Sequence, residues 1–220
     1  MGCMSLFAHM SINVRSPRGT DVARERLPNR REAVGRPMRE RRSHVWDREQ
    51  NDHYVEPAWC SERLFDVEEF YGRINDPCCG FGTIPEAAYR AGIGATACDL
   101  VDRGYKGGRV EDFFTSTWPR DNIVANPPFN IAERFVRHAL DVTGLKVAVI
   151  FPTARLNAAH WIRETPLRRV WLLTPRPSMP PGHVLAAGGK PGGGKVDFCW
   201  LVFERGHQGP TELRWLHRDG

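Results

Sequence analysis

From about residue 52 onward, two hydrophobic periods alternate along the chain. Residues 61–71 place Leu64, Phe65, Val67 and Phe70 at helical spacing. Residues 73–76 then lead into a Gly-rich turn, and residues 83–91 form a small-residue helical stretch closed by Gly92. A short strand is predicted over 95–100, with Asp99 at its end, and another over 122–125. Residues 131–142 have the spacing of an amphipathic helix. Residues 146–151 read as a buried strand, with the apolar run Val147, Ala148, Val149 and Ile150 following Lys146. Further strands are predicted over 167–174 and 196–204, and a last edge strand over 211–216. Strands alternating with helices imply an α/β fold with a mainly parallel sheet flanked by helices. Ligands of such sheets sit outside the carboxyl ends of the strands. The stretch 175–195 is rich in Pro and Gly, has no period, and is expected to be a mobile loop between two strands.

The first fifty residues differ in kind. They have few aliphatic positions after Val14 and carry eleven Arg, no Lys and six acidic residues. The other 170 residues carry 20 basic and 20 acidic side chains, so the formal charge of +5 belongs to this segment alone. Such a stretch cannot bury enough apolar surface to offset its ordering entropy. Residues 1–50 are expected to be a flexible basic arm, and residues 51–220 the folded domain. The arm is either a salt-dependent phosphate-backbone contact or a solvated tail without a role.

Six cysteines without a Cys-x-x-Cys pair, and eight scattered histidines, outline neither a disulfide framework nor a metal site. No metal is expected, and the thiols suit a reduced, cytoplasmic setting. No run of about 18 apolar residues is present, so no membrane partner is expected.

Two short strings carry chemistry. The first is Asp76-Pro77-Cys78-Cys79-Gly80-Phe81-Gly82-Thr83, after a strand and before a helix. Its glycines allow backbone to approach a ligand closely, and the following helix offers free N–H groups. It is not a phosphate loop, because no Gly-Lys-Ser/Thr follows, and it is not Gly-x-Gly-x-x-Gly, because Pro occupies position 85. Asp76 suits a cationic or amine-bearing ligand. Asp99, at the end of the next strand, is placed to accept both hydroxyls of a ribose.

The second string is Asn126-Pro127-Pro128-Phe129, after the apolar run Ile123-Val124-Ala125. Two prolines at a strand end stiffen the chain and cannot continue a hydrogen-bond ladder. The Asn126 amide oxygen and the Pro127 carbonyl are two acceptors for the two hydrogens of a planar amino group. Binding both draws that nitrogen toward sp³ geometry and exposes its lone pair. Phe129 supplies a face for stacking a base, worth ~1–3 kcal/mol.

Together these strings resemble the class I S-adenosylmethionine-dependent amino-methyltransferases, whose signature is Asp/Asn/Ser-Pro-Pro-Tyr/Phe, and in particular the bacterial and phage DNA N6-adenine enzymes. The resemblance implies a Rossmann-like fold with a mainly parallel seven-stranded sheet. It implies that Asp76, Gly80 and Gly82, with Pro77, Cys78 and Thr83 of the same turn, line the methionine end of S-adenosylmethionine. Asp99 would hold the ribose, and Asp112 and Phe113 would contact the cofactor adenine. Asn126, Pro127, Pro128 and Phe129 would form the catalytic loop. The segment 52–59, with Tyr54, Pro57 and Trp59, looks like the Tyr-x-Thr-Pro-x-Trp segment that closes over the cofactor. Here Glu56 stands where Thr is usual, and a carboxylate there would repel the cofactor carboxylate. The resemblance covers roughly residues 52–204.

Residues 155–195 hold seven basic side chains against Glu164 alone, a net of +6 that suits a nucleic-acid backbone. Ser178, in Pro177-Ser178-Met179-Pro180, and Trp200 also resemble late segments of phage-type adenine enzymes that lie beside the flipped base. Arg155, Arg176, Ser178 and Trp200 are therefore the expected substrate contacts. The expected reaction is methyl transfer to the exocyclic N6 of adenine in double-stranded DNA. Adenine in RNA, a protein glutamine amide, and a non-catalytic nucleic-acid-binding module are the alternatives. Little chain remains for target recognition, so short sequence specificity or help from a partner subunit is expected.

Overall fold

The computed structural model describes residues 53–220. The basic segment 1–50 and the start of the closing segment lie outside the described residues. The elements in order are α1 (Trp59–Val67), β1 (Ile74–Asp76), α2 (Thr83–Arg90), β2 (Ala95–Asp99), β3 (Gly108–Val110), β4 (Arg120–Ala125), α3 (Ala132–Val142), β5 (Thr143–Pro152), β6 (Leu167–Thr174), α4 (Gly182–Ala186), β7 (Phe198–Glu204) and β8 (Glu212–His217). The strands form one sheet in the order β3-β2-β1-β4-β5-β7-β6-β8. Pairs from β3 through β5 are parallel, β7 runs antiparallel to β5 and β6, and β8 is parallel to β6.

The sheet has eight strands rather than the expected seven. β3 is the additional one, a three-residue strand with no buried position, paired to β2 from Ala97↔Gly108 to Asp99↔Val110. β8 is the edge strand expected over 211–216, paired to β6 from Arg169↔Glu212 to Thr174↔His217.

Alternation along β5 builds the two cores. Val147, Val149 and Phe151 face the layer of α3, packing with Phe135, Val136 and Ala139. Ala148 and Ile150 face the opposite layer, with Leu64 of α1 and Ile84 and Ala88 of α2. A strand covered on both faces is apolar at every position, which is why 147–151 lacks a polar side.

α1 ends at Val67, four residues short of the predicted end, and the next residue adopts an extended backbone. Glu68 turns inward there, only 3% exposed. It accepts hydrogen bonds from Trp171 Nε1 (2.9 Å), Lys146 Nζ (3.0 Å) and Arg169 Nη1. Burial pushes its carboxyl up, but the indole N–H, the guanidinium and the ammonium outweigh this and hold it below the ordinary carboxylate value. A depressed folded-state pKa gives stability that is present above the unfolded value of 4.5 and is lost as pH falls through the folded value. Glu68→Gln is expected to lower stability at pH 7 by about 1.5–3 kcal/mol. It should also flatten the fall in stability below pH 4.5, and denaturant titrations at several pH values would measure both.

Residues 175–195 are not the uniform loop that their composition suggests. They contain α4, and their first part is tied down by backbone bonds, with Val55 N donating to Pro180 O (3.0 Å) and Gly182 N to His53 O (2.9 Å). Proline supplies no N–H but keeps its carbonyl, so a Pro-rich run can accept these bonds without belonging to a strand. No described helix is long and apolar enough to cross a membrane.

Candidate active site

From β1 the chain moves outward to β2 and β3, then returns to β4 and β5 on the other side. The crevice of such a sheet opens where the winding reverses, beyond the carboxyl ends of β1 and β4. A cleft lies there. Of the residues expected to contact cofactor, Tyr54, Pro77, Cys78, Gly80, Thr83, Asp99, Asp112 and Phe113 line it, and Asn126 and Pro128 line it from the β4 side. Pro57, Asp76, Gly82, Pro127 and Phe129 lie outside its wall.

The glycine turn is shaped as the sequence suggests. Gly80 and Gly82 have φ of 53° and 87°, a left-handed backbone that favours glycine. A Cβ at Gly80 would stand 2.8 Å from His53 Nε2, so the turn and the segment over it fit only without a side chain. A Cβ at Gly82 would fall onto the Tyr105 ring. Asp99 Oδ2 accepts from Gly80 N (2.9 Å) and Oδ1 from Val101 N (3.1 Å), which fixes the carboxylate while leaving lone pairs toward the cleft. Asp112 caps a short 3-10 helix, accepting from Phe114 N (2.9 Å). Phe113 presents an edge to the cleft, but most of its ring is core, packed on Phe135 and His138.

Asp76 is 1% exposed and accepts from Cys78 N (3.1 Å). Burial, then the nearby Glu56 and Asp99 carboxylates, push it well above the usual range. Burial and the same carboxylates hold Cys78 as a thiol, and push Cys79 up to about 12. A thiolate nucleophile is therefore disfavoured. Of these three carboxyls, Glu56 and Asp99 line the cleft, and the buried Asp76 lies behind its wall.

The segment from His53 crosses the cleft mouth. Beside the bonds of Val55 N to Pro180 O and of Gly182 N to His53 O, the His53 ring meets Phe81 edge-on at 5.0 Å between ring centres. The segment's sharpest contact is with Asn126. Asn126 Nδ2 donates to Tyr54 O (2.7 Å) and to Glu56 Oε2 (2.8 Å). Both amide hydrogens are thereby engaged on the protein side, and Oδ1 is left as an acceptor at the cleft. Burial pushes Glu56 up to about 7, against its own backbone bond and that from Asn126, which lower it. Glu56 stood out in the sequence only as a departure from Thr. That it reaches Asn126, 70 residues away, is visible only in the structure.

The expected substrate contacts are not brought together at this cleft. Trp200 is fully buried, with Nε1 donating to Cys60 O (2.9 Å), and is a core residue rather than a surface for a base. Its place in β7, opposite Ile150 of an all-buried strand, decides this. The Ser178 hydroxyl is also buried, without a hydrogen-bond partner among the described residues. Arg176 is exposed and pairs with Asp197 (2.6 Å). Arg155 Nη1 donates to Phe129 O (2.9 Å), so it braces the loop that carries Asn126. Phe129 packs 5.7 Å from Phe198, ring centre to ring centre. Three of the seven basic side chains of residues 155–195 are paired with acids from outside the segment. Arg168 pairs with Glu204 (2.6 Å), and Arg169 with Glu68 and Glu212. Among the described residues no group of His, Cys, Asp and Glu is arranged to hold a metal ion.

No protein-family model matches the chain. No curated protein matches it either. Solved structures do. The M protein of the type I restriction enzyme EcoKI aligns over 75% of this chain and 48% of its own, at 13% identity and a TM-score of 0.55. The modification subunit of a candidate type I restriction enzyme from Vibrio vulnificus aligns over 77% and 48%, at 15% identity and a TM-score of 0.51. A candidate RNA methyltransferase from Pyrococcus horikoshii aligns over 70% and 88%, at 14% identity and a TM-score of 0.52. The chain thus spans about half the length of the two restriction-enzyme subunits. At these identities the likeness establishes the fold, and the chain has the Rossmann-like fold of the methyltransferases.

Proposed function

We propose that this protein transfers the methyl group of S-adenosylmethionine to the exocyclic N6 of adenine in DNA. The observation that carries the reading is the pinned amide of Asn126, whose oxygen is left as an acceptor at the carboxyl end of β4. An extruded adenine would offer N6–H to Asn126 Oδ1 and to the Pro127 carbonyl. Extrusion costs a few kcal/mol. Both bonds hold the nitrogen lone pair toward the methyl donor, so catalysis is chiefly positioning, which can supply ~7–11 kcal/mol.

The residues of the cleft fit the cofactor. The Gly80 turn brings backbone to the cleft without a side chain, and the Asp99 carboxylate on the cleft wall suits ribose hydroxyls and a ligand bearing positive charge. When bound, S-adenosylmethionine supplies an electrophilic methyl group. Asp99→Ala is expected to weaken cofactor binding by about 10²-fold, the loss of two hydrogen bonds to a charged acceptor. Calorimetry with the cofactor alone measures this, and binding within threefold of wild type would remove Asp99 from the site.

The substrate is tested by incubating the protein with methyl-labelled S-adenosylmethionine and, separately, unmethylated duplex DNA, total RNA and protein extract. N6-methyladenine in DNA is the expected product. Adenine in RNA is the second reading, favoured by the likeness to the Pyrococcus horikoshii protein, most of whose length is matched. Label in glutamine would overturn a nucleic-acid substrate. Since Arg168, Arg169 and Arg176 are paired internally, a partner subunit is the proposed source of site recognition.

A further inference from the structure

Glu56 is the one carboxyl of the cleft in contact with the catalytic loop, and nothing in the proposed reaction uses it. We infer that Glu56 is a positioning residue whose ionised carboxylate, together with the Tyr54 carbonyl, locks the Asn126 side-chain amide in the single orientation that presents Oδ1 to the substrate amine.

An asparagine amide can turn over about its last bond, exchanging oxygen and NH₂ at little intrinsic cost. In the wrong orientation NH₂ would face the target amino group, donor against donor, and no transfer geometry would form. Two acceptors hold the NH₂ end here, Tyr54 O at 2.7 Å and Glu56 Oε2 at 2.8 Å. Tyr54 O is a backbone atom of a segment clamped to Pro180 and Gly182, so its place does not depend on a side chain. Glu56 is 8% exposed and has no ion pair among the described residues. The groups facing it are Cys60 of α1, Asp76 at the end of β1, and Cys78 in the glycine turn. All are neutral or acidic, so beside its own backbone N–H the Asn126 N–H is the donor that the buried carboxylate has to bond. A hydrogen bond to an ionised acceptor is about twice as strong as a neutral one. Protonation removes that advantage and creates an O–H that can donate to Oδ1, which favours the reversed amide.

Because the group titrates near 7, the lock is set and released within an accessible pH range. Below that value Glu56 gains its proton and the presenting orientation loses its hold, whereas above it the lock is complete. The inference rests on the methyltransferase reading for its consequence, but not for its geometry.

The test follows the side-chain ¹⁵N resonance of Asn126 from pH 5.5 to 8.5 in protein labelled at asparagine, assigned by its absence in Asn126→Ala. In wild type the signal should titrate with a midpoint near 7, and in Glu56→Gln it should not move. In parallel, kcat of wild type should rise through the same midpoint and level off. Glu56→Gln should be slower by about 10- to 100-fold at pH 8, with a flat profile and a KM for cofactor within threefold. An Asn126 signal independent of pH, or a Glu56→Gln variant with wild-type kcat and pH profile, would overturn the inference. A signal that titrates in a protein that methylates nothing would sustain the contact and overturn the proposed function, so the two failures are separable.

Discussion

Asn126→Ala is expected to lower methyl transfer by at least ~10²- to 10³-fold while leaving cofactor affinity within threefold of wild type. The magnitude is that of removing one preorganised hydrogen-bonding group from a site that works by positioning. Asn126 follows β4 and Asp99 ends β2, with β1 between them, so binding and turnover should separate. The substitution also leaves Tyr54 O and Glu56 without their shared donor. Asn126→Asp should fail comparably in this chain, because a second carboxylate would face Glu56 in place of the N–H. Single-turnover methyl transfer under saturating cofactor, beside calorimetry of the same variants, is the measurement. Wild-type turnover in Asn126→Ala would remove the loop from the chemistry.

Trp200→Ala is expected to destabilise the fold by about 3–5 kcal/mol. The side chain is fully buried among Leu64, Ile150, Val202 and Leu216, between α1 and the sheet. Its deletion opens a cavity that β7, hydrogen-bonded to β5 and β6 on both sides, cannot move to close, and strips Cys60 O of its indole donor. For a domain of this size 1 kcal/mol moves Tm by about 2–4 °C, so a fall of about 10 °C is expected in thermal unfolding followed by circular dichroism. The alternative role, a base-stacking contact, makes the opposite prediction. It requires near wild-type Tm and a loss of nucleic-acid binding. A fall under 3 °C would contradict the packing described here.

Local signals carried much of the fold. The apolar run 147–151, the small-residue helix of α2 and the amphipathic α3 are each patterns that a strand or helix imposes on its own residues. The glycine turn and the Asn-Pro-Pro-Phe loop were legible for the same reason, since a left-handed backbone and a stiff strand exit depend on neighbours in sequence. Where long-range pairing decides, the pattern was weaker. β8 buries little beyond Leu216, and its place beside β6 comes from hydrogen bonds to a strand some forty residues earlier. The Pro-rich run after β6 has no period, yet its carbonyls dock the closing segment.

Charge shows the difference most plainly. Counted along residues 155–195 it is net +6, which suggests a patch. In space Arg168, Arg169 and Arg176 face Glu204, Glu68, Glu212 and Asp197, none of which lies in that stretch. Screening by a partner 20 to 100 residues away has no signature in a linear count. Thus sequence by itself determined the α/β class, the two strand-end loops and the residue types poised to bind a cationic cofactor and an amine, because each depends on local backbone and side-chain chemistry. Only the tertiary structure decided that Trp200 is core, that three arginines of the basic segment are paired, and that Glu56 grips Asn126. Burial and pairing belong to the packed chain, and the residues that meet there are set by the order of strands in the sheet.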